Sequence, residues 1–161
     1  KLKDVWVEGA VHRRTSNAAN QKVTFDANET FEKGVLITNC KVEFGAYVTL
    51  IDVAVATTND NVNSITAASN LTLGLDDGCA NGGGAQIVTM GGLDLASNMS
   101  AYGAQILALD DVAFAADADG IEGISIVSGG EIDSTSGINM GFCNGAGMSN
   151  NWLADYFRMA T

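Results

Sequence analysis

A metal site is one chemistry that the residue types of this chain could support. Asp117, Asp119 and Glu122 lie in the run DADGIE, and Gly120 would allow the sharp turn of a calcium-binding loop. Ala115 stands where the first ligand should be, however, and the bidentate Glu at the far end of the pattern is missing. We therefore expect no cofactor, with Ca²⁺ as the one candidate, and interpret these acids as turn formers and outward-facing side chains.

The three cysteines raise the question of a disulfide bond. Cys79 lies in DDGCANGGG and Cys143 in GFCNG, and the Gly- and Asn-rich flanks would let either loop bend toward the other. A Cys79–Cys143 disulfide would suit an exported protein. Cys40 is expected to be a free, buried thiol that packs like a small apolar residue. A zinc site is not indicated, because the cysteine spacing does not fit one and the chain has a single histidine.

Residue patterns that support catalysis are few. His12 is the one histidine of the chain, and no serine stands in a nucleophile elbow. A polysaccharide lyase would need a cationic base over its groove, but residues 42–157 contain neither Lys nor Arg. We predict that the chain is not an enzyme, and we keep a carbohydrate-active β-helix enzyme as an alternative. A hydrolase of that kind would use paired carboxylates, for which the candidates are Asp110 with Asp111 and Asp117 with Asp119.

The elements that would position such residues come from a repeat of about nineteen residues, which is the strongest pattern in the sequence. Copies begin at residues 21, 40, 63, 91, 110 and 129 if the Gly-rich stretch 74–83 is an insertion. Apolar residues recur at the third and fifth positions of the copies, which is the period of two expected of strands with one buried side. The third position holds Val23, Val42, Ile65, Leu93 and Val112, and the fifth holds Phe25, Phe44, Ala67, Leu95 and Phe114.

Units this short, without a helix, favour coils that stack on one another. We predict an all-β fold, a single-domain parallel β-helix (β-solenoid), with an antiparallel sandwich or jelly roll as the alternative. Stacking would place the fifth-position side chains in one internal column that is broken at Ala67. It would also place the eighth-position side chains at one polar corner, where the copies have Asn28, Asn70, Asn98, Asp117 and Ser136, with Tyr47 as the exception.

One domain is predicted for residues 1–161. Residues 1–20 are expected to be an N-terminal cap or first rung, residues 21–149 the repeats with an insertion at 74–83, and residues 150–161 a C-terminal cap. Caps are expected because open strand edges invite aggregation. The C-terminal segment carries Trp152, Tyr156 and Phe157, which either cover the last rung or act as an apolar anchor for a partner.

Hydroxyl side chains recur at two further positions of the repeat. The tenth position is predicted to form an outward column of Thr30, Thr49, Thr72 and Ser100, and the eighteenth adds Thr38, Thr57 and Thr89. Regular threonine columns on a flat solenoid face suit an ice-binding protein, which is the second alternative. The β-propensity of threonine would by itself also place it in strands.

The charge distribution limits the partners. The net charge is −11, from 19 Asp and Glu against 8 Lys and Arg, and seven of the cations lie in the first 41 residues. Nucleic acid is an unsuitable partner because phosphate binding needs clustered cations. The sequence contains no run of 18 apolar residues, so it predicts no membrane-spanning segment. Any export signal is expected to have been removed or to lie outside this chain. A basic end on an acidic body could let copies of the chain associate head to tail as a homo-oligomer.

Three stretches of the chain have distinctive wording: ETFEKGVLITNCKVEF, DADGIEGISIVSGGEIDSTSGINMGFC and ADYFRMAT. With them, most of residues 20–161 resembles the C-terminal region of alphaproteobacterial TadG-like proteins of tight-adherence pilus assembly. It implies an extracytoplasmic protein, secreted or at the cell surface, and carries over no catalytic residue. The resemblance also implies an N-terminal membrane helix, which the sequence does not show, so we expect either a fragment or processed form of such a protein or a resemblance only to a shared β-helical ectodomain. We therefore expect a non-enzymatic, exported structural or adhesive module of a cell-surface appendage, whose partners are other protein chains.

Overall fold

Short apolar–polar alternations along the chain form strands that coil into a parallel β-solenoid of about six turns, with rungs of about 20 residues. The computed structural model describes residues 1–18, 20–78, 84–134 and 140–141, without the side chains of residues 96–97 and 116–119. The all-β parallel β-helix predicted from the repeat is confirmed. No helix in the described part of the chain is long and apolar enough to cross a membrane.

A short 3-10 helix, Lys3–Val5, precedes the strands of the described residues. These are β1 Val11–Arg14, β2 Lys22–Phe25, β3 Thr30–Thr38, β4 Lys41–Phe44, β5 Thr49–Thr57, β6 Ile65–Ala67, β7 Thr72–Leu73, β8 Gln86–Thr89, β9 Leu93–Tyr102, β10 Gln105–Ala108, β11 Val112–Glu122, β12 Ser125–Ser128, β13 Ile132–Ser134 and β14 Met140–Gly141.

Strands at equivalent places in successive rungs pair in parallel and form three ladders. The first ladder contains β2, β4, β6, the starts of β9 and β11, and β13. The second contains the first parts of β3 and β5, then β7, the ends of β9 and β11, and β14. The third contains β1, the second parts of β3 and β5, then β8, β10 and β12. β3 and β5 pass from the second ladder to the third at Lys33 and Asp52, whose φ angles are 46° and 52°.

Left-handed backbone conformations mark the corner between the first and second ladders. Asn28, Asn70 and Asn98 have φ angles of 61°, 51° and 67°. Asparagine accepts this conformation at low cost because its short polar side chain can bond to the local backbone. The polar corner predicted from the repeat is confirmed at these three rungs. Tyr47, the exception in the sequence pattern, has the same conformation, with φ of 59°.

In-register columns of apolar side chains fill the interior. In the first ladder Phe25 pairs with Phe44, Ala67 pairs with both Phe44 and Leu95, and Leu95 pairs with Phe114. All five are buried, so the predicted internal column, with its break at Ala67, is confirmed. Two further buried columns run inside the second and third ladders: Phe31, Leu50, Leu73, Ala101 and Ile121, and then Leu36, Val55, Ile87 and Ile106.

The N-terminal segment lies across the open end of these columns. The Trp6 ring packs against Phe25 and Phe31, with centroid distances of 5.9 and 5.2 Å, and stacks on His12 at 4.3 Å. Its Nε1 donates a hydrogen bond to the carbonyl oxygen of Glu32 at 2.9 Å. Gly34 allows this approach, because a Cβ at that position would lie 2.4 Å from the Trp6 ring. The segment also adds β1 to the edge of the third ladder.

Two loops lengthen the third rung. The loop between β7 and β8 contains the insertion predicted at 74–83, of which residues 74–78 are described. The loop between β5 and β6 is also longer than the corresponding one between β3 and β4, and the repeat pattern did not assign its residues 59–62 to any copy. Its backbone is held locally, since the Asn61 and Asn63 N–H groups donate to the side-chain oxygens of Asn59 and Asn61.

The threonines at the eighteenth position point into a corner and not outward. Thr38, Thr57 and Thr89 are only 4%, 4% and 3% exposed. Each hydroxyl oxygen accepts the backbone N–H two residues further on, at 3.0–3.1 Å, and so closes the turn into the next rung. The prediction that they add to an outward hydroxyl column was therefore wrong. The tenth-position residues Thr30, Thr49, Thr72 and Ser100 do stack in register, with exposed or half-buried side chains.

Candidate docking surface

An apolar surface covers the outside of the third ladder. Its central column runs in register from β3 to β12 through Ile37, Ala56, Val88, Leu107 and Val127. The last three are 37%, 40% and 52% exposed, although each is a fully apolar side chain. We call this surface the apolar face; it also includes Val11, Val35, Ala54, Met90 and Leu109.

In the third ladder β3 and β5 carry apolar residues on both sides. Leu36 points inward between Val35 and Ile37, and Val55 lies in the same way between Ala54 and Ala56. In β8, β10 and β12 one of the two outward residues is apolar and the other is polar, namely Gln86, Gln105 and Ser125. Continuous apolar runs are typical of parallel strands that are covered on both faces, whereas alternation is typical of strands with one face in water. The inner face here is covered by the core, whereas Val88, Leu107 and Val127 stay exposed on the outer face. The composition of these strands thus indicates a surface made for contact.

The apolar face is free of acidic residues although the chain has 19 of them. No Asp or Glu lies in the described strands of the third ladder, and its charged residues are Arg13 and Arg14 in β1. The first and second ladders, in contrast, both present acids outward. These include Glu43, Asp94 and Asp133 in the first ladder and Glu32 and Glu122 in the second.

The ladder beneath this face is regular. Its pairings run from β1 through β3, β5, β8 and β10 to β12 without a change of register in any pair. The pair of β9 and β11, which spans the other two ladders, shifts register on both sides of Ala116. The long insertion before β8 leaves the third ladder in register, so the face is a continuous array of six strands.

The two ends of the apolar face carry opposite charges. Arg13 is exposed, and Arg14 donates a hydrogen bond from Nη1 to the Arg13 carbonyl oxygen at 3.0 Å. At the other end, Asp110, Asp111 and Glu131 form an acidic corner where the chain leaves the third ladder. Asp111 Oδ1 accepts the Glu131 N–H at 2.7 Å, which fixes this corner between successive rungs.

A groove adjoins the β1 end of the apolar face. It has a volume of about 340 Å³ and lies where the second ladder passes into the third. Val11 and Val35 form its apolar side, and Lys33 and Asp52 stand at the corner. The groove extends the apolar face and contains no cluster of metal-ligating side chains.

Of the residues that the sequence predicted for a metal site, only Glu122 has a described side chain. Asp117 and Asp119 belong to β11, but their side chains lie outside the described residues. Glu122 is half-buried and its backbone pairs with Tyr102 of the preceding rung. No group of three or more His, Cys, Asp or Glu side chains that could hold a metal ion occurs among the described residues.

The other predicted site residues divide into two sets. Cys40 is a free, buried thiol, as predicted, and its N–H donates to Thr38 Oγ1. The remaining ones fall outside the described residues, so the predicted disulfide and the predicted aromatic contact stay predictions: Cys79, Cys143, Trp152, Tyr156 and Phe157.

A pair of carboxylates that the sequence analysis missed lies on the first ladder. Asp94 and Asp133 point outward two rungs apart, with Ala113 between them, and border a shallow groove of about 250 Å³. Parallel strands are about 4.8 Å apart, so the two Cα positions are separated by roughly 10 Å. Only the register of the rungs reveals this pair, because the two residues are far apart in the sequence.

Comparison with known proteins gives the family and no activity. No curated protein and no solved structure matches the chain significantly. A family model matches residues 3–144, which is most of the chain and includes the whole apolar face. The chain therefore belongs to the DUF7867 family, which is described as a domain of unknown function.

Proposed function

We propose that this domain is a non-catalytic structural or adhesive module that works by contact with other protein chains through its apolar face. The observation that carries the proposal is an acid-free, apolar outer surface on a chain with a net charge of −11. An exposed apolar surface of this kind is costly in water, and in soluble proteins such surfaces mark interaction sites.

The size of the face is sufficient for a contact of modest strength. Six strands at ~4.8 Å and five residues at ~3.3 Å give an area of roughly 480 Å². Burying that area would contribute on the order of 10 kcal/mol at ~25 cal/mol per Å². Association costs about 4–15 kcal/mol in lost freedom of motion, so a single face supports a weak contact. Repeated contacts between many copies would strengthen it through avidity.

The proposed setting is outside the cytoplasm, in a cell-surface appendage associated with the tight-adherence pilus machinery. Its support is the sequence resemblance to TadG-like proteins. A stacked solenoid suits such a role because it offers long, repetitive surfaces in place of one deep pocket.

Two alternatives have a specific observation in their favour. The in-register column of Thr30, Thr49, Thr72 and Ser100 supports ice binding, but the column is one residue wide because Glu32 and Ile51 occupy the next outward positions. Asp94 and Asp133 support a carbohydrate-active enzyme, but they lie on an open surface.

The test is site-specific photo-cross-linking of the full chain in its host cells. A photoreactive residue in place of Leu107 should give a discrete adduct of defined mass, because Leu107 lies at the centre of the apolar face. The matched control replaces Thr66, an outward residue of the first ladder one rung before that of Leu107. Equal labelling from both positions, or none from Leu107, would contradict the proposal.

A further inference from the structure

We propose that the partner of the apolar face is a second copy of this chain, packed face to face with its rungs in the opposite order. This inference rests on the proposed function and specifies the partner of the same surface. Three features of the described residues support it: where the acids lie, how large and small side chains are distributed over the face, and which charges lie at its two ends.

The distribution of acids leaves one of the three ladders open to another copy. Each chain carries a net charge of −11, so two copies repel at long range. Contact through the first ladder would place Glu43 and Asp94 against the acids of the other copy, and like charges at an interface suppress association. The strands of the third ladder bring no acid to the centre of the contact, and the acids at their corner lie at its rim.

The geometry of such a dimer follows from the six-strand array. A two-fold axis that lies in the interface, parallel to the strands and midway between β5 and β8, relates the two copies. It places β5 of one copy over β8 of the other, β3 over β10 and β1 over β12. Two β-sheets packed in this way lie about 10 Å apart. The contact is isologous, so it closes as a dimer.

The distribution of side-chain size fits this arrangement. The outward residues of β5 are small, namely Ala54 and Ala56. The exposed apolar residues of the next three strands are larger: Val88 on β8, Leu107 on β10 and Val127 on β12. The two-fold axis sets Ala56 of one copy against Val88 of the other, Ala54 against Gln86, and Ile37 against Leu107. An arrangement with the rungs in the same order would set alanine against alanine and leave a gap at the centre, which loses the dispersion contacts of its lining.

The charges at the two ends fit it as well. Reversed order brings Arg13 and Arg14 of one copy to the acidic corner of the other, formed by Asp110, Asp111 and Glu131. The two-fold axis repeats this meeting at both ends of the face. Opposite charges at the rim fix orientation and raise the association rate more than they add affinity.

The expected affinity is low. Two faces of roughly 480 Å² bury about 950 Å² in total, below the ~1,200–2,000 Å² of stable complexes. We expect a dissociation constant on the order of 100 μM for the isolated pair.

Sedimentation velocity of the purified full chain measures the fraction of dimer at protein concentrations from about 1 μM to about 1 mM, a range that spans the expected dissociation constant. We expect a monomer–dimer equilibrium that Leu107→Lys weakens at least about tenfold, because it buries a charge without a partner at the contact. Val127→Lys serves as a second variant at a more exposed position, and Thr66→Lys is the matched control that leaves the equilibrium unchanged. A wild-type chain that stays monomeric at every concentration overturns the proposal.

Cysteine cross-linking tests the order of the rungs. Ile37 and Leu107 of one chain are three rungs apart in their column, or roughly 14 Å, whereas facing positions of the two copies are about 10 Å apart between Cα atoms, which is too far for a disulfide. A bis-maleimide that is too short to span roughly 14 Å should therefore convert the variant Ile37→Cys/Leu107→Cys into a covalent dimer. Leu107→Cys alone should form markedly less, with the wild-type chain as the background. The reverse result overturns the opposite order.

The two tests separate this inference from the proposed function. A monomeric chain that still cross-links through position 107 to a protein of a different mass in cells refutes the second copy and supports the proposed function. A chain that neither dimerises nor cross-links through position 107 refutes both.

Discussion

The Thr57 hydroxyl donates a hydrogen bond to the carbonyl oxygen of Cys40, at an Oγ1–O distance of 2.7 Å, and thereby ties two successive rungs together. Thr57 Oγ1 also accepts a hydrogen bond from the N–H of Asn59 at 3.1 Å. A single buried hydroxyl thus satisfies two backbone groups at the corner where the chain leaves the third ladder. An equivalent arrangement recurs at Ser128, which donates to the Asp110 carbonyl oxygen at 2.7 Å and accepts the Gly130 N–H at 3.0 Å.

Replacing this hydroxyl should destabilise the fold. Thr57→Val keeps the shape of the side chain but leaves the Asn59 N–H and the Cys40 carbonyl without their partner, so we expect a loss of about 1–3 kcal/mol in the free energy of unfolding. Urea denaturation measures it. Thr58→Val, at the exposed neighbouring position, is the control and should change the stability by less than about 0.5 kcal/mol. Similar losses from both variants would show that the hydroxyl has no special part in the corner.

The aromatic end of the core should be equally sensitive to truncation. Phe44 is completely buried, and its ring centroid lies 4.9 Å from that of Phe25. Phe44→Ala is expected to cost about 3–5 kcal/mol in unfolding free energy, through lost burial and a residual cavity. Phe44→Leu, which keeps most of the volume, should cost much less. A small effect of the alanine variant would mean that Phe44 does not lie inside the column.

Tyr47 offers a substitution that should stabilise the chain. Its φ of 59° is unfavourable for most residues, and its side chain is 60% exposed, so little packing would be lost. Tyr47→Asn should raise the unfolding free energy by up to about 1 kcal/mol, since Asn occupies this corner in the neighbouring rungs. Thr66→Asn, in the middle of β6, is the contrast and should destabilise. A loss of stability in Tyr47→Asn would indicate that the tyrosine ring makes a necessary contact.

Sequence patterns predicted the strands that have one side buried in the core and the other side exposed to solvent. In the first ladder the alternation around Val42 and Phe44 identified the strands, the register and the internal column. The corner at Asn28, Asn70 and Asn98 was also evident, because the left-handed conformation selects a particular residue type.

The docking surface was not predicted, and the reason is physical. In β3 and β5 both sides of the strand are apolar where it lies in the third ladder, so a run such as Val35-Leu36-Ile37 has no period that tells inside from outside. Threonines at the corners were misplaced for a related reason. A hydroxyl serves equally well facing water or bonded to a buried turn, and only the path of the backbone distinguishes the two.

The cysteines provide a test of the part of the chain beyond the described residues. We predict that mass mapping of the unreduced protein finds Cys79 joined to Cys143 and Cys40 as a free thiol. The buried position of Cys40 should make it unreactive toward alkylating reagents until the chain is unfolded. A disulfide that includes Cys40, or three free thiols, would contradict the predicted pairing and remove one argument for export.

Salt dependence distinguishes face-to-face contact from the head-to-tail association that the charge distribution suggests. Head-to-tail contact joins a basic end to an acidic body, so it should weaken as salt screens the attraction. Contact through the apolar face opposes the mutual repulsion of two chains of net charge −11, so it should strengthen with salt. The screening length falls from ~30 Å at 0.01 M to ~8 Å at 0.15 M. The distance over which two chains repel each other is therefore about as long as the apolar face at low salt, and only a fraction of that length at high salt. We predict that the dimer fraction measured by sedimentation rises several-fold between these two conditions. Leu107→Lys should remove the increase, and a dimer fraction that falls as salt is added would favour the head-to-tail arrangement.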